Sequence, residues 1–76
     1  MKKVVIYTSP TCHFCHEAMD YFKENNIEYS EKDISKDPEA RKFLMSNRIM
    51  GVPAIYIDDE LIMGFDKAKI NSLLGL

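Results

Sequence analysis

The stretch IYTSPTCHFCHEA, residues 6–18, holds the only two cysteines of the chain, Cys12 and Cys15, and its only two histidines, His13 and His16. The string C-x-x-C-H suits a redox dithiol, a covalent haem attachment or part of a metal site. What flanks it narrows the choice. Residues Lys3 to Thr8 are rich in Val, Ile and Tyr and stop at Ser9-Pro10, the pattern of a buried strand followed by a breaker. After Cys15, the apolar residues Ala18, Met19 and Phe22 recur at helical spacing until Asn25-Asn26. Thr11 reads as the N-cap of that helix, which places Cys12 in its first turn.

A strand running straight into the motif leaves little room for haem, and no export signal points to an oxidising site of attachment. Four zinc ligands would have to converge from five consecutive residues, with no second ligand pair elsewhere. A metal or iron–sulfur cluster shared by the dithiols of two chains stays open. The dithiol reading explains the most. A sulfur at a helix N-terminus meets unsatisfied backbone N–H groups and the positive end of the helix dipole, and both favour thiolate over thiol. Cys12 is then the nucleophile. Cys15, one turn further in, is placed to attack the mixed disulfide that Cys12 forms.

Working outward, residues Ile27 to Ile34 read as a second, more polar strand. Asp37-Pro38-Glu39 is a helix start with Asp at the cap and Pro at the first helical position, and Ala40, Phe43 and Leu44 give that helix an apolar face to about Asn47. Ala54 to Ile57, the polar pair Asp58-Asp59 and Glu60 to Met63 form a hairpin. Asp66 can cap a last helix whose stripe is Ile70, Leu73 and Leu74. The order is β-α-β-α-β-β-α. A βαβ unit makes the first two strands parallel and the hairpin makes the last two antiparallel, so the expected class is α/β with a mixed four-stranded sheet flanked by three helices.

The bulk composition is consistent with one domain spanning residues 1–76. At 46% hydrophobic and 11% aromatic there is enough apolar material for a core, but not for two. A formal net charge of -2, with neither sign in a long block, gives no basic stripe for nucleic acid. The opening MKKVVIYTSP imitates a signal peptide for a few residues but has no small-residue cleavage site, and no stretch reaches membrane-spanning length. A soluble, cytoplasmic monomer is expected. In a reducing compartment, two cysteines this close are more often catalytic or metal-binding than structural. The five methionines, such as Met19 and Met45, read as filling rather than as ligands, and His16 as a surface residue.

Three separated motifs, IYTSPTCHFCHEA at 6–18, GVPAIYID at 51–58 and GFD at 64–66, stand in the order found in glutaredoxins. The chain resembles that branch of the thioredoxin superfamily over essentially its whole length. The resemblance implies a thioredoxin fold and a thiol–disulfide oxidoreductase with Cys12 and Cys15 catalytic. It implies no bound cofactor and no metal, with glutathione as co-substrate and disulfide-containing or glutathionylated proteins as partners. Val52-Pro53 matches the family's cis proline, which turns the chain so that neighbouring backbone groups can pair with an extended thiol substrate. Gly64, Phe65 and Asp66 resemble the segment that takes the γ-glutamyl end of glutathione. Arg48 stands where relatives carry a partner for its glycine carboxylate.

Departures from the common family pattern lie at Ser9, where many relatives have lysine, and at His13-Phe14, where they have Pro-Tyr. Losing the lysine removes a positive neighbour of the thiolate and an anchor for glutathione. A thioredoxin reductase is therefore the alternative electron source. Phe14 would shape an apolar wall. A protonated His13 would stabilise the Cys12 thiolate and make the disulfide more oxidising.

Overall fold

A computed structural model describes residues 2–76. The elements are β1 (Val4–Thr8), α1 (His13–Glu24), β2 (Ser30–Asp33), α2 (Pro38–Ser46), β3 (Ala54–Ile57), β4 (Glu60–Met63) and α3 (Lys67–Leu74). One four-stranded sheet has the order β2-β1-β3-β4. β1 and β2 are parallel, β1 and β3 antiparallel, and β3 and β4 antiparallel. This is the expected mixed sheet.

Alternation along the strands divides the core in two. Val4 and Ile6 of β1 and Ile55 and Ile57 of β3 join Ala18, Met19 and Phe22 of α1 and Ile70 of α3 in one cluster. Tyr7 and Ala54 face the other way and meet Ala40 and Leu44 of α2. Helices α1 and α3 thus cover one face of the sheet and α2 the other. Tyr7 stacks on Phe43 at 5.5 Å, with Tyr56 edge-on to both rings.

Both acidic caps fall where expected. Asp37 Oδ1 accepts from the N–H groups of Glu39 and Ala40, each at 3.1 Å, and Asp66 Oδ1 accepts from Lys69 N–H at 3.2 Å. Several boundaries differ from expectation. The ladder of β1 starts at Val4, although Lys3 still exchanges two hydrogen bonds with Asp58. β2 starts at Ser30 rather than Ile27, because the Ile27 N–H is already bonded to Phe22 O, closing the end of α1 in a Schellman motif with Asn26 at φ 56°. α2 closes in the same manner, with Arg48 at φ 57° and the Ile49 N–H on Leu44 O at 2.8 Å.

Candidate active site

The N-cap of α1 is Cys12, not Thr11, and the helix begins at His13. Ser9 O accepts from the Cys12 N–H at 3.1 Å, so residues 9–12 make a tight turn with Pro10 at its second position, where a fixed φ suits the bend. That turn carries Thr11 away from the cap; its hydroxyl lies 3.5 Å from that of Ser9. The cap acceptor is then a sulfur. Cys12 Sγ receives the Cys15 N–H at 3.1 Å. α1 has no acidic residue in its first turn, so nothing there neutralises the positive end of its dipole before Cys12 does.

Cys12 and Cys15 are joined as a disulfide, with Cα atoms 5.3 Å apart. Their environments differ sharply. Cys12 is half-buried at the rim of the site, while Cys15 is 0% exposed, its Sγ 4.0 Å from the Tyr7 carbonyl. Tyr7 O is a neighbour that sequence reasoning missed: it lies eight residues away in the chain and is brought in only by the packing of α1 on β1.

The remaining candidates arrive from two other directions. The Val52-Pro53 peptide is cis and Pro53 is buried. Register places Ala54 opposite Tyr7, so Pro53 lies level with Thr8 at the dithiol end of the sheet. Gly64 takes φ 77°, a conformation that glycine adopts without steric cost, and its N–H donates to Pro53 O at 2.9 Å. The proline loop and the GFD segment are thereby tied into one wall. Phe65 is half-buried and turns its ring onto Tyr21, at 5.7 Å, with Lys67 Nζ above both rings. Asp66 spends one carboxylate oxygen on the cap of α3.

His13 and Phe14 project from the first turn of α1. Phe14 is 59% exposed, and His13 Nε2 lies 3.4 Å from Glu17 Oε1 on the same exposed helix face. Such a pair on the surface contributes little to stability. Arg48 is exposed at the end of α2, four residues before Val52. Thr8, which sequence reasoning did not single out, is 2% exposed and donates its hydroxyl to Glu31 at 2.9 Å, fastening β2 to the strand that leads into the dithiol. A concavity lined by Lys2, Val4, Ile27, Tyr29 and Leu73 lies at the opposite pole of the sheet, away from the chemistry. Among the described residues no helix is long and apolar enough to cross a membrane.

A glutaredoxin family model matches residues 4–62. A relative from Clostridium pasteurianum, described as an uncharacterized glutaredoxin-like 8.6 kDa protein in a rubredoxin operon, is 36% identical over 72 residues, covering 93% of this chain and 96% of its own. The crystal structure of a thioredoxin-like protein aligns with a TM-score of 0.85 at 35% identity, over 93% of this chain and 99% of that one. Glutaredoxin 1 from Francisella tularensis aligns with a TM-score of 0.73 at 35% identity over 100% of both chains. The fold is the thioredoxin fold.

Proposed function

The chain belongs to the glutaredoxin family, and on that premise we propose that it reduces protein disulfides and glutathione mixed disulfides by a two-cysteine mechanism, with glutathione as co-substrate. The Cys12 thiolate attacks one sulfur of the substrate disulfide; the Cys12–substrate bond forms and the second substrate sulfur leaves as a thiolate. The Cys15 thiolate then attacks Cys12 Sγ. That step forms the intramolecular disulfide, releases the remaining substrate sulfur as a thiol and passes two electrons to the substrate in all. Alternatively, where the mixed disulfide on Cys12 is with glutathione, a second glutathione thiolate attacks the glutathione sulfur; glutathione disulfide forms and Cys12 leaves as the thiolate.

The observation that carries this reading is the asymmetry of the pair. Cys12 Sγ is the cap acceptor of α1 at the rim, and Cys15 is sealed beneath it. Preorganised N–H groups at a helix N-terminus stabilise the sulfur charge both before attack and when Cys12 departs. Arg48, Gly64 and Asp66 are the groups we assign to glutathione, Arg48 to its glycine carboxylate and the start of α3 to its γ-glutamyl end.

A second reading has support from one position. Ser9 stands where a cation would hold both the thiolate and glutathione, and with that anchor gone, electrons would come from a thioredoxin reductase. Parallel assays separate the two, one with reduced glutathione, glutathione reductase and NADPH acting on a glutathionylated peptide, the other with thioredoxin reductase and NADPH acting on a protein disulfide. Turnover in the first supports the glutathione site. Turnover in the second alone replaces that site with a reductase-fed carrier, and turnover in neither removes the proposed activity.

A further inference from the structure

The two edge strands of the sheet differ in chemistry. β2, at one edge, is Ser30-Glu31-Lys32-Asp33, polar at every position. Charged side chains of this kind discourage an edge from pairing with another chain. β4, at the other edge, follows Glu60 with Leu61, Ile62 and Met63, and its register with β3 runs without a bulge.

Register also decides which backbone groups β4 presents. A two-residue turn joins Ile57 to Glu60, and such a turn closes on a hydrogen-bonded pair. At the other end of the strand the Gly64 N–H donates to Pro53 O at 2.9 Å. Because the backbone groups of successive residues turn to opposite sides, Glu60, Ile62 and Gly64 direct theirs to β3, and Leu61 and Met63 direct theirs outward. The side chains of Leu61 and Met63 share the α2 face with their register partners Tyr56 and Ala54. α2 buries Tyr7 and Ala54 on that face but leaves Tyr56 and Leu61 half-buried and Met63 50% exposed.

We propose that β4 pairs with β4 of a second copy of this chain, antiparallel about a two-fold axis through Ile62, joining two four-stranded sheets into one of eight strands. In that register Leu61 lies opposite the partner's Met63, and Met63 opposite the partner's Leu61. Both residues have outward backbone groups, so each pair exchanges two hydrogen bonds and four form in all. Ile62 meets the partner's Ile62 as the pair without hydrogen bonds, as its inward groups require. A slip by one residue would set outward groups against inward ones, and a slip by two would leave a single bonded pair. The axis stands normal to the sheet and keeps both α2 helices on one side. Leu61 and the partner's Met63 then become cross-strand neighbours that carry the apolar surface of Tyr56 across the junction. Glu60 falls opposite the partner's Gly64, so no like charges are directly opposed. This self-complementarity is what an isologous contact requires, and it favours a second copy over a foreign strand. Four residues a side bury well under the roughly 1,200 Å² of a stable interface, so the dimer is weak and the monomer prevails in dilute solution. Antiparallel pairing sends the two dithiol ends in opposite directions, so both sites stay open and the inference does not rest on the proposed activity.

The test is nuclear magnetic resonance of isotope-labelled protein from about 20 µM to about 2 mM. The rotational correlation time should climb with concentration toward about twice its dilute value. Amide exchange at Leu61 and Met63 should slow about twofold where half of the chains are paired, while Ile62, already bonded to β3, stays unchanged. Met63→Pro removes an outward N–H, which an edge strand tolerates, and Met63→Lys puts a charge on the edge without touching the backbone. With folding checked by circular dichroism, each variant should keep the dilute correlation time throughout. A flat correlation time in the parent, slowed exchange confined to other residues, or association that survives in the folded variants would each overturn the proposal. Parent protein that stays monomeric, yet whose Leu61 and Met63 amides slow when reduced insulin B chain is added, would give the edge to a foreign strand and overturn it equally.

Discussion

Replacing Arg48 by glycine should make the protein more stable and a poorer user of glutathione at once. Arg48 ends α2 in the left-handed region at φ 57°. A side chain there costs about 1–2 kcal/mol through the clash of Cβ with the following carbonyl. Glycine avoids that clash but surrenders about 0.5–1 kcal/mol of extra chain entropy on folding. The net gain for Arg48→Gly is about 0.5–1 kcal/mol, and because the arginine side chain is exposed, its loss forfeits little packing. With an unfolding entropy of about 2.1 cal/mol/K per residue, 76 residues give roughly 0.16 kcal/mol/K, so Tm should rise by about 3–6 °C. Thermal melts followed by circular dichroism read that directly.

If Arg48 pairs with the glycine carboxylate of glutathione, the same variant loses an exposed ion pair of about 0.2–1 kcal/mol, and KM for glutathione should rise up to about fivefold with kcat little changed. Arg48→Lys separates the two effects, since it keeps both the charge and the backbone cost. Its Tm should match the parent and most of its KM should be retained. A Tm that falls or stays level in Arg48→Gly would refute the backbone argument. A raised Tm with an unchanged KM would keep that argument and remove Arg48 from the glutathione site.

Cys12→Ser should abolish thiol transfer from every substrate, whereas Cys15→Ser should retain reduction of glutathionylated peptide and lose reduction of intramolecular protein disulfides; equal loss in both variants would exclude the glutathione-resolved route. Asp37→Ala leaves the N–H groups of Glu39 and Ala40 without their cap, which should cost about 1 kcal/mol and lower Tm by about 6 °C. Burial raises the Tyr7 phenol pKa, with smaller contributions from Tyr56 and Asp37, so Tyr7→Phe should remove a phenol that ionises above the ordinary tyrosine range from the ultraviolet titration. Because the folded pKa is the higher one, the stabilisation is complete below the ordinary tyrosine range and drains away as pH rises through the Tyr7 pKa; Tyr7→Phe should flatten that part of the alkaline stability profile. The Asp33 carboxyl is lowered mainly by hydrogen bonds from Ser35, so its stabilisation is present above the ordinary aspartate range and lost as pH falls through the lowered pKa. Ser35→Ala should flatten that acid limb in a pH series of melts.

Elements with strong local signals were legible from the residues alone. The Val/Ile-rich β1, the hairpin around Asp58-Asp59 and the two aspartate caps stand within a residue of where periodicity and capping chemistry put them. What local signals could not supply is competition for backbone groups. Ile27 has the side chain of a strand residue, yet its N–H is consumed by the end of α1. Thr11 has the side chain of an N-cap, yet the turn begun at Ser9-Pro10 hands the cap to a cysteine. The site divides along the same line. Cys12, Cys15 and the Val52-Pro53 pair carry motifs that can be read in one dimension. Tyr7 O under Cys15, the Thr8–Glu31 bond and the tie from Gly64 to Pro53 exist only through packing and strand register.

The burial of Cys15 also fixes the order of chemical events. An external disulfide cannot reach a sulfur that is 0% exposed beneath the first turn of α1, so first attack belongs to Cys12. Once the mixed disulfide exists, the only substrate sulfur that matters to Cys15 is already bonded to its neighbour, held by the same helix turn with Cα atoms 5.3 Å apart. Resolution is then intramolecular, with an effective concentration far above that of any free thiol. A small thiol in solution competes by reaching, from the exposed side, the substrate sulfur bonded to Cys12, and its attack returns the Cys12 thiolate. Phe14, exposed in the first turn of α1, and the Val52-Pro53 loop at the same end of the sheet border that approach, so the choice between resolving cysteine and external thiol is set by the rim, while the reactivity of the pair is set by the helix end beneath it.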